Sequence, residues 1–228
     1  MIDGMRWDIL LPNLQEMKIL LFEQFDVFMK NWWATFSVSI VGSVLAILAA
    51  LIIAIIALKM RFIDTIMMPI VALSQSFPLQ AITPLIIIIL GIGFKTKALV
   101  AFLIAFFPIY SVCITALKTT PRNLLCFSII YQAGFLKEIY YIRIPYALPA
   151  IISSMKVGFT LAVLGAVVAE FMQPDVGLGR MILLAQSQYQ VETLYLCIVL
   201  LIIQGLFFYI SLSYLEKYFI KKGGFQND

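Results

Sequence analysis

Apolar positions in this chain fall in long unbroken blocks separated by short polar stretches. The block WWATFSVSIVGSVLAILAALIIAIIAL, residues 32–58, opens on a Trp pair and is closed by Lys59 and Arg61. A bilayer-spanning helix needs about 20 mainly apolar residues, with aromatic and basic residues at its ends. A second block, residues 63–90, carries Pro69, Pro78 and Pro84. Proline in a membrane helix frees backbone carbonyls that neighbouring helices or a wet cavity must satisfy, so this span is predicted to be bent and packed inside a bundle. Blocks at 98–117, 148–171 and 193–214 complete a prediction of five spans. Ahead of the first, LQEMKILLFEQFDVFMKNWW sets apolar residues at helical spacing with charges between them, the pattern of an interfacial amphipathic helix.

Composition agrees with the blocks. The chain has 228 residues, 63% hydrophobic and 12% charged, about half the charge of a soluble domain, so the class is an all-α integral membrane protein. Asp3, Asp8, Glu16, Glu23 and Asp26 leave no clean apolar core for a cleavable signal peptide. Cys113, Cys126 and Cys197 lack metal-ligand spacing, so no metal site is expected. With no histidine and no G-x-x-x-x-G-K-[ST], neither His-dependent catalysis nor ATP binding is expected of this chain, and no catalytic residue is assigned. Three regions follow: an amphipathic segment 1–31, a transmembrane domain 32–220 and a tail 221–228.

Basic residues orient the spans. With the N-terminus outside, inside segments hold nine Lys and Arg (Lys59, Arg61, Lys118, Arg122, Lys137, Arg143, Lys217, Lys221, Lys222) against six outside (Arg6, Lys18, Lys30, Lys95, Lys97, Arg180). Nine against six leans the way the positive-inside rule requires, and Lys95 and Lys97 pull the other way. Segment 118–147 then lies inside. Pro121 opens it and Gly134 breaks it, which predicts one short helix over 124–131 and a second over 136–143. Pro145 is expected to stop the second helix and push Ile144 to an extended conformation. From these features alone two readings stand: a surface connector resting on the bundle, or a pair of helices presenting an apolar knob to a soluble partner.

The pattern Ile142-x-Ile144-Pro145-x-x-Leu148-Pro149 resembles the end of the cytoplasmic EAA loop of ABC-importer permeases. Counted back along that consensus, its glycine falls on Gln132 and its Glu-Ala-Ala on Cys126-Phe127-Ser128, with Gly134 two residues late for the turn. Ser76-Phe77-Pro78-Leu79-Gln80-Ala81-Ile82-Thr83-Pro84-Leu85, followed by Gly91-Ile92-Gly93, is similar to a stretch of the nitrate, sulfonate and taurine import group. Gly165-Ala166-Val167-Val168-Ala169-Glu170-Phe171, followed by Gly177-Leu178-Gly179, is similar to another.

The resemblance implies a type I importer permease with a cytoplasmic coupling helix in the bacterial inner membrane. It carries a small solute of the nitrate, sulfonate, taurine or vitamin and pyrimidine-precursor class. The implied partners are ABC ATPase subunits that bind ATP and Mg, a second permease chain in a homodimer, an extracytoplasmic solute-binding protein and the lipid bilayer. No nucleic acid is implied, and no cofactor on this chain. The ATPase-coupling loop implied comprises Gln132, Ala133, Gly134, Lys137, Ile142, Ile144, Pro145, Leu148 and Pro149, with Pro145 and Pro149 a stiff joint into the fourth span.

Other polar residues are weighed singly. Glu170, an acid at the end of an apolar span, is a candidate for the pathway or for a pair that locks one conformation; a carboxylate meeting water at the outer interface is the plainer alternative. Gln75, Gln80 and Thr83 beside the prolines either line a pathway or make helix–helix hydrogen bonds. Lys156 is expected to snorkel to the inner interface. Gly158, Ala162, Gly165 and Ala166 make a small face for close helix approach, in the core or between two permease chains. Two rival functions are an ion-coupled secondary transporter or channel, and a non-transporting membrane scaffold.

Overall fold

The first apolar block forms one long helix because a stripe of small residues lets it bury a single face. Ser39, Ser43, Ala46, Ala50, Ala54 and Ala57 recur at helical spacing and all are buried in α2 (Phe25–Lys59). The computed structural model describes residues 13–76, 79–173 and 175–223. At 35 residues α2 is about 52 Å long, well beyond the roughly 30 Å hydrocarbon core, so it starts before the Trp pair that the sequence placed at its opening.

Facing α2 are α5 (Phe94–Lys118) and α8 (Ile144–Phe171), and the three make the core. A Cβ added at Gly42 of α2 would lie 2.6 Å from the Cβ of Ala101, and one at Gly165 of α8 would lie 2.7 Å from the Ala101 Cα. Both helices therefore close on α5 at one small residue. This settles where the small face of α8 goes: Gly158 meets Ile109 and Gly165 meets Ala101, both in the core of one chain. With little hydrophobic drive between helices in lipid, such close contact supplies the packing energy.

The 63–90 block is not one helix. It is α3 (Arg61–Ser76), a 3₁₀ turn (Leu79–Ile82) and α4 (Thr83–Leu90), with Pro69 inside α3 and Pro84 in the first turn of α4. Among the described residues four helical stretches are long and apolar enough to cross a membrane: Phe25–Lys59, Phe94–Lys118, Phe135–Phe171 and Val191–Tyr218. The remaining predicted crossing is thus shared by two half-helices of 16 and 8 residues, about 36 Å together.

The stretch 135–171 corrects the expected break at Pro145. After α6 (Arg122–Ile130) come the single turn α7 (Phe135–Glu138) and a π-turn (Ile139–Arg143), which runs straight into α8. Ile144 is helical, at φ −63° and ψ −51°, and its N–H bonds five residues back to the Ile139 carbonyl. The wider π-turn has already loosened the ladder where Pro145 lacks a donor, so the proline fits in the first turn of α8 without ending it. Pro145 and Pro149 lie inside a continuous helix and are not a joint between two.

The remaining elements are α1 (Leu14–Glu23), α9 (Leu178–Ser187) and α10 (Val191–Gly223). Asn13 caps α1, accepting from the Gln15 N–H at 3.0 Å. Met17, Leu20 and Leu21 of α1 pack on a cluster of Phe28, Leu178, Leu196 and Cys197. The amphipathic helix thus covers an apolar patch of its own bundle with part of its apolar face, while Leu14, Ile19 and Phe22 stay exposed. The Lys156 ammonium pairs with Glu216, near the inner end of α10, and lies 5.5 Å from the Tyr209 ring centroid.

Candidate functional site

Segment 118–147 sits where the ends of α2, α3 and α5 meet. The Lys59 ammonium at the end of α2 lies 5.8 Å from the Phe135 ring, and Lys118 of α5 bonds both Asp64 oxygens of α3 at 2.6 and 2.7 Å. This is the inner end of the predicted orientation, and it gathers Lys59, Lys118 and Arg143.

The turn inside this segment is made by Gln132, the position where the loop consensus has glycine. Gln132 has φ +48°. The Ala133 N–H reaches the Ser128 carbonyl at 2.8 Å and the Gln132 N–H reaches Ile129 at 3.0 Å, the paired bonds of a Schellman cap on α6. Gly134, expected to do this work, is in an ordinary extended conformation at φ −65° and ψ 161°. A left-handed glutamine costs about 1 kcal/mol relative to glycine. Gln132→Gly is therefore expected to stabilise the segment by about that amount, read as slower proteolysis of the loop; unchanged or faster cleavage would contradict the strain.

The surface of the segment is apolar. Ile129, Ile130, Tyr131, Leu136, Tyr140 and Tyr141 are exposed, with the Tyr140 and Tyr141 rings edge to face at 4.9 Å. Of the nine residues assigned to the coupling loop, Gln132, Gly134 and Lys137 are exposed, whereas Ala133, Ile142, Ile144, Pro145, Leu148 and Pro149 are half-buried. Ile144 packs on the core cluster, and Pro149 lines a groove of about 540 Å³ between α5 and α8. The best-matched half of the motif is thus the part that rests on the bundle. The exposed knob lies before it, on large apolar side chains whose position outside the five apolar blocks of the sequence is the signal for it.

Behind the knob stands an ion pair the residue assignments omitted. The Glu138 carboxylate accepts Arg143 Nε at 2.7 Å and Ser128 Oγ at 3.0 Å, and Arg143 Nη1 donates to the Leu117 carbonyl at 2.8 Å.

The opposite end explains the second motif. Three successive N–H groups that open α9 are each taken by a side chain: Gly177 donates to Asn31 Oδ1 at 2.8 Å, Leu178 to Thr35 Oγ1 at 2.9 Å, and Gly179 to Glu170 Oε2 at 2.9 Å. The Thr35 hydroxyl lies 2.9 and 3.0 Å from the two Glu170 oxygens, so it accepts from Leu178 while donating to the carboxylate. Helix N-termini leave their first N–H groups unpaired and favour negative charge, and Glu170 supplies both needs from α8. Gly177 adopts φ +145°, and a Cβ there would fall on the Glu170 carboxyl group; one at Gly179 would come 2.7 Å from the Val167 carbonyl. The Gly-Leu-Gly spacing is therefore the shape of a turn closed onto a carboxylate.

Glu170 is fully buried in the single chain, so it does not meet water there, and its hydrogen bonds tie α8 and α9 to α2. Lys97, also buried, pairs with Asp175 and donates to the Val176 carbonyl at 2.6 Å, and Gln173 Oε1 accepts the Gly93 N–H at 2.8 Å. Lys97 runs against the positive-inside count because its charge is spent here. Thr83, a second pathway candidate, is buried with no hydrogen-bond partner among the described residues. Gln80 lies in the 3₁₀ turn with its side chain outside the described residues, as does that of Gln75, and Pro78 falls outside them altogether.

A broken second crossing, an amphipathic segment with an apolar knob and a continuous helix leading from it define a transporter membrane subunit. The chain belongs to the family described as binding-protein-dependent transport system inner membrane component, which matches residues 19–221. It is 29% identical to the "Probable ABC transporter permease protein" of Haemophilus influenzae over 92% of this chain and 85% of that one. It is 33% identical to the riboflavin transport system permease protein RibX of Chloroflexus aurantiacus, over 71% of this chain and 60% of that one. In fold it matches the inward-facing MetNI methionine ABC transporter with a TM-score of 0.74 at 17% identity, covering 86% of this chain and 98% of that one. The chain is a non-enzymatic, multi-pass inner-membrane subunit of an ABC importer for small solutes, and ATP hydrolysis belongs to a separate subunit of this family.

Proposed function

We propose that two copies of this chain form the pathway for a small polar solute, that an ABC ATPase docks on the exposed knob of residues 129–141, and that a solute-binding protein delivers substrate at the opposite end. The exposed knob carries this reading: six large apolar side chains stand exposed on a segment outside the five apolar blocks of the sequence. An exposed apolar cluster of that kind marks a protein contact. For the second copy, support comes from α3 and α4, whose Leu73, Ile88 and Ile89 stay exposed while other residues of the same helices pack on α2 and α5. The solute class is the one the sequence motifs imply, nitrate, sulfonate, taurine or a vitamin or pyrimidine precursor, and a relative named for riboflavin transport fits its vitamin side.

Replacing residues 131–142 by a Gly/Ser linker is the direct test. Co-purification of the partner ATPase is expected to be lost, while membrane insertion is retained because the five apolar blocks are untouched. Association that survives the replacement would overturn the docking assignment.

A further inference from the structure

The docking segment has two faces, and only the outer one has been given a role. Its inner face is a run of polar contacts. Ser128 of α6 and Arg143 of the π-turn both bond the Glu138 carboxylate, at 3.0 and 2.7 Å. The other side of the Arg143 guanidinium donates at 2.8 Å to the Leu117 carbonyl, in the last turn of α5, which also accepts the Thr120 hydroxyl at 3.1 Å. The neighbouring residue, Lys118, holds Asp64 of α3 with both carboxylate oxygens. Side chains of Glu138 and Arg143 are about four-fifths buried, so water screens this pair less than it would a surface one.

Other links leave the segment as well. Through the backbone it joins α5 by residues 119–121 and α8 by the π-turn, and Phe135 lies against Lys59 at the end of α2. None of these fixes an angle between partners by directed hydrogen bonds. The polar run crosses directly from α6 to α3. Its centre is an arginine whose planar fork fixes the angle between two partners, which a lysine cannot reproduce.

We propose that Arg143, oriented by Glu138, is the positioning residue that passes movement of the docking segment to the inner ends of α5 and α3. This inference rests on the docking assignment above and adds the route behind it. A shift of the knob carries Glu138 and Arg143 with it. The Leu117 carbonyl follows, and Lys118 draws Asp64 and the inner half-helix of the broken crossing.

The test uses proteoliposomes holding the whole transporter with its ATPase and binding protein, with ATP hydrolysis and solute uptake measured in parallel. In Arg143→Gln and Arg143→Lys the ATPase is expected to stay bound and to hydrolyse ATP, while solute moved per ATP falls roughly tenfold or more, the size of one charge-assisted hydrogen bond. Asp64→Asn breaks the far link at a more exposed position and should lower the same ratio without touching the segment itself. A normal ratio in Arg143→Gln, or in Asp64→Asn if Arg143→Gln does not fold, would overturn the proposal. Loss of the ATPase from Arg143→Gln would also overturn it, since the residue would then serve the docking face. Failure of the unaltered chain to bind the ATPase is a different result and strikes the docking assignment instead.

Discussion

Glu170→Ala is expected to cost about 3–5 kcal/mol and to deplete the folded protein in the membrane. The carboxylate is fully buried and takes the Gly179 N–H and the Thr35 hydroxyl. Its removal strands two buried donors and leaves the start of α9 without its negative partner, and each stranded donor costs about 1–3 kcal/mol. The truncated side chain also leaves a void against the Gly-Leu-Gly turn. Glu170→Gln should be milder, at roughly 1–3 kcal/mol, because the amide keeps one acceptor but turns a donor toward other donors. Thr35→Val should resemble the Gln variant, since it deprives the Leu178 N–H of its acceptor. Thermal unfolding of the detergent-solubilised protein, followed by tryptophan fluorescence, orders the three. A fully stable Glu170→Ala protein with impaired uptake would show that the carboxylate serves transport directly and would overturn the clamp.

Tyr131→Ala combined with Leu136→Ala should weaken ATPase association by about 100-fold or more, because large side chains at the centre of an interface each contribute about 2 kcal/mol or more. These residues are 79% and 78% exposed, so their truncation should change the stability of the free subunit by no more than about 0.5 kcal/mol. Binding of the purified ATPase to the subunit in nanodiscs measures the loss. Equal binding by the double variant would place the docking surface elsewhere.

These two sites were legible to different degrees. That the second crossing departs from a straight helix could be foreseen, since its prolines act through local backbone chemistry, but its division into two half-helices could not. The small face on α8 could likewise be foreseen as a packing surface, although only the structure shows that α5 fills it. Pro145 misled because its local preference was overridden by the π-turn just before it, which no propensity rule signals. Gly134 misled in the same way: glycine marks where a left-handed turn is easy, and the chain makes it at Gln132 instead. Glu170 stood out as an acid at the end of an apolar run, yet its partner Thr35 lies 135 positions away, so its role depends on helix packing. The Lys156–Glu216 pair, 60 positions apart, escaped notice for the same reason.

The account stands or falls on whether ATP drives movement through this chain by way of the knob. The direct measurement is solute uptake into proteoliposomes containing this chain and its ATPase, with the loaded binding protein outside and ATP inside. Uptake is expected to require ATP and the binding protein together, and to vanish in the Tyr131→Ala, Leu136→Ala double variant. Uptake that persists without the ATPase and follows an ion gradient would contradict the account and identify a secondary transporter.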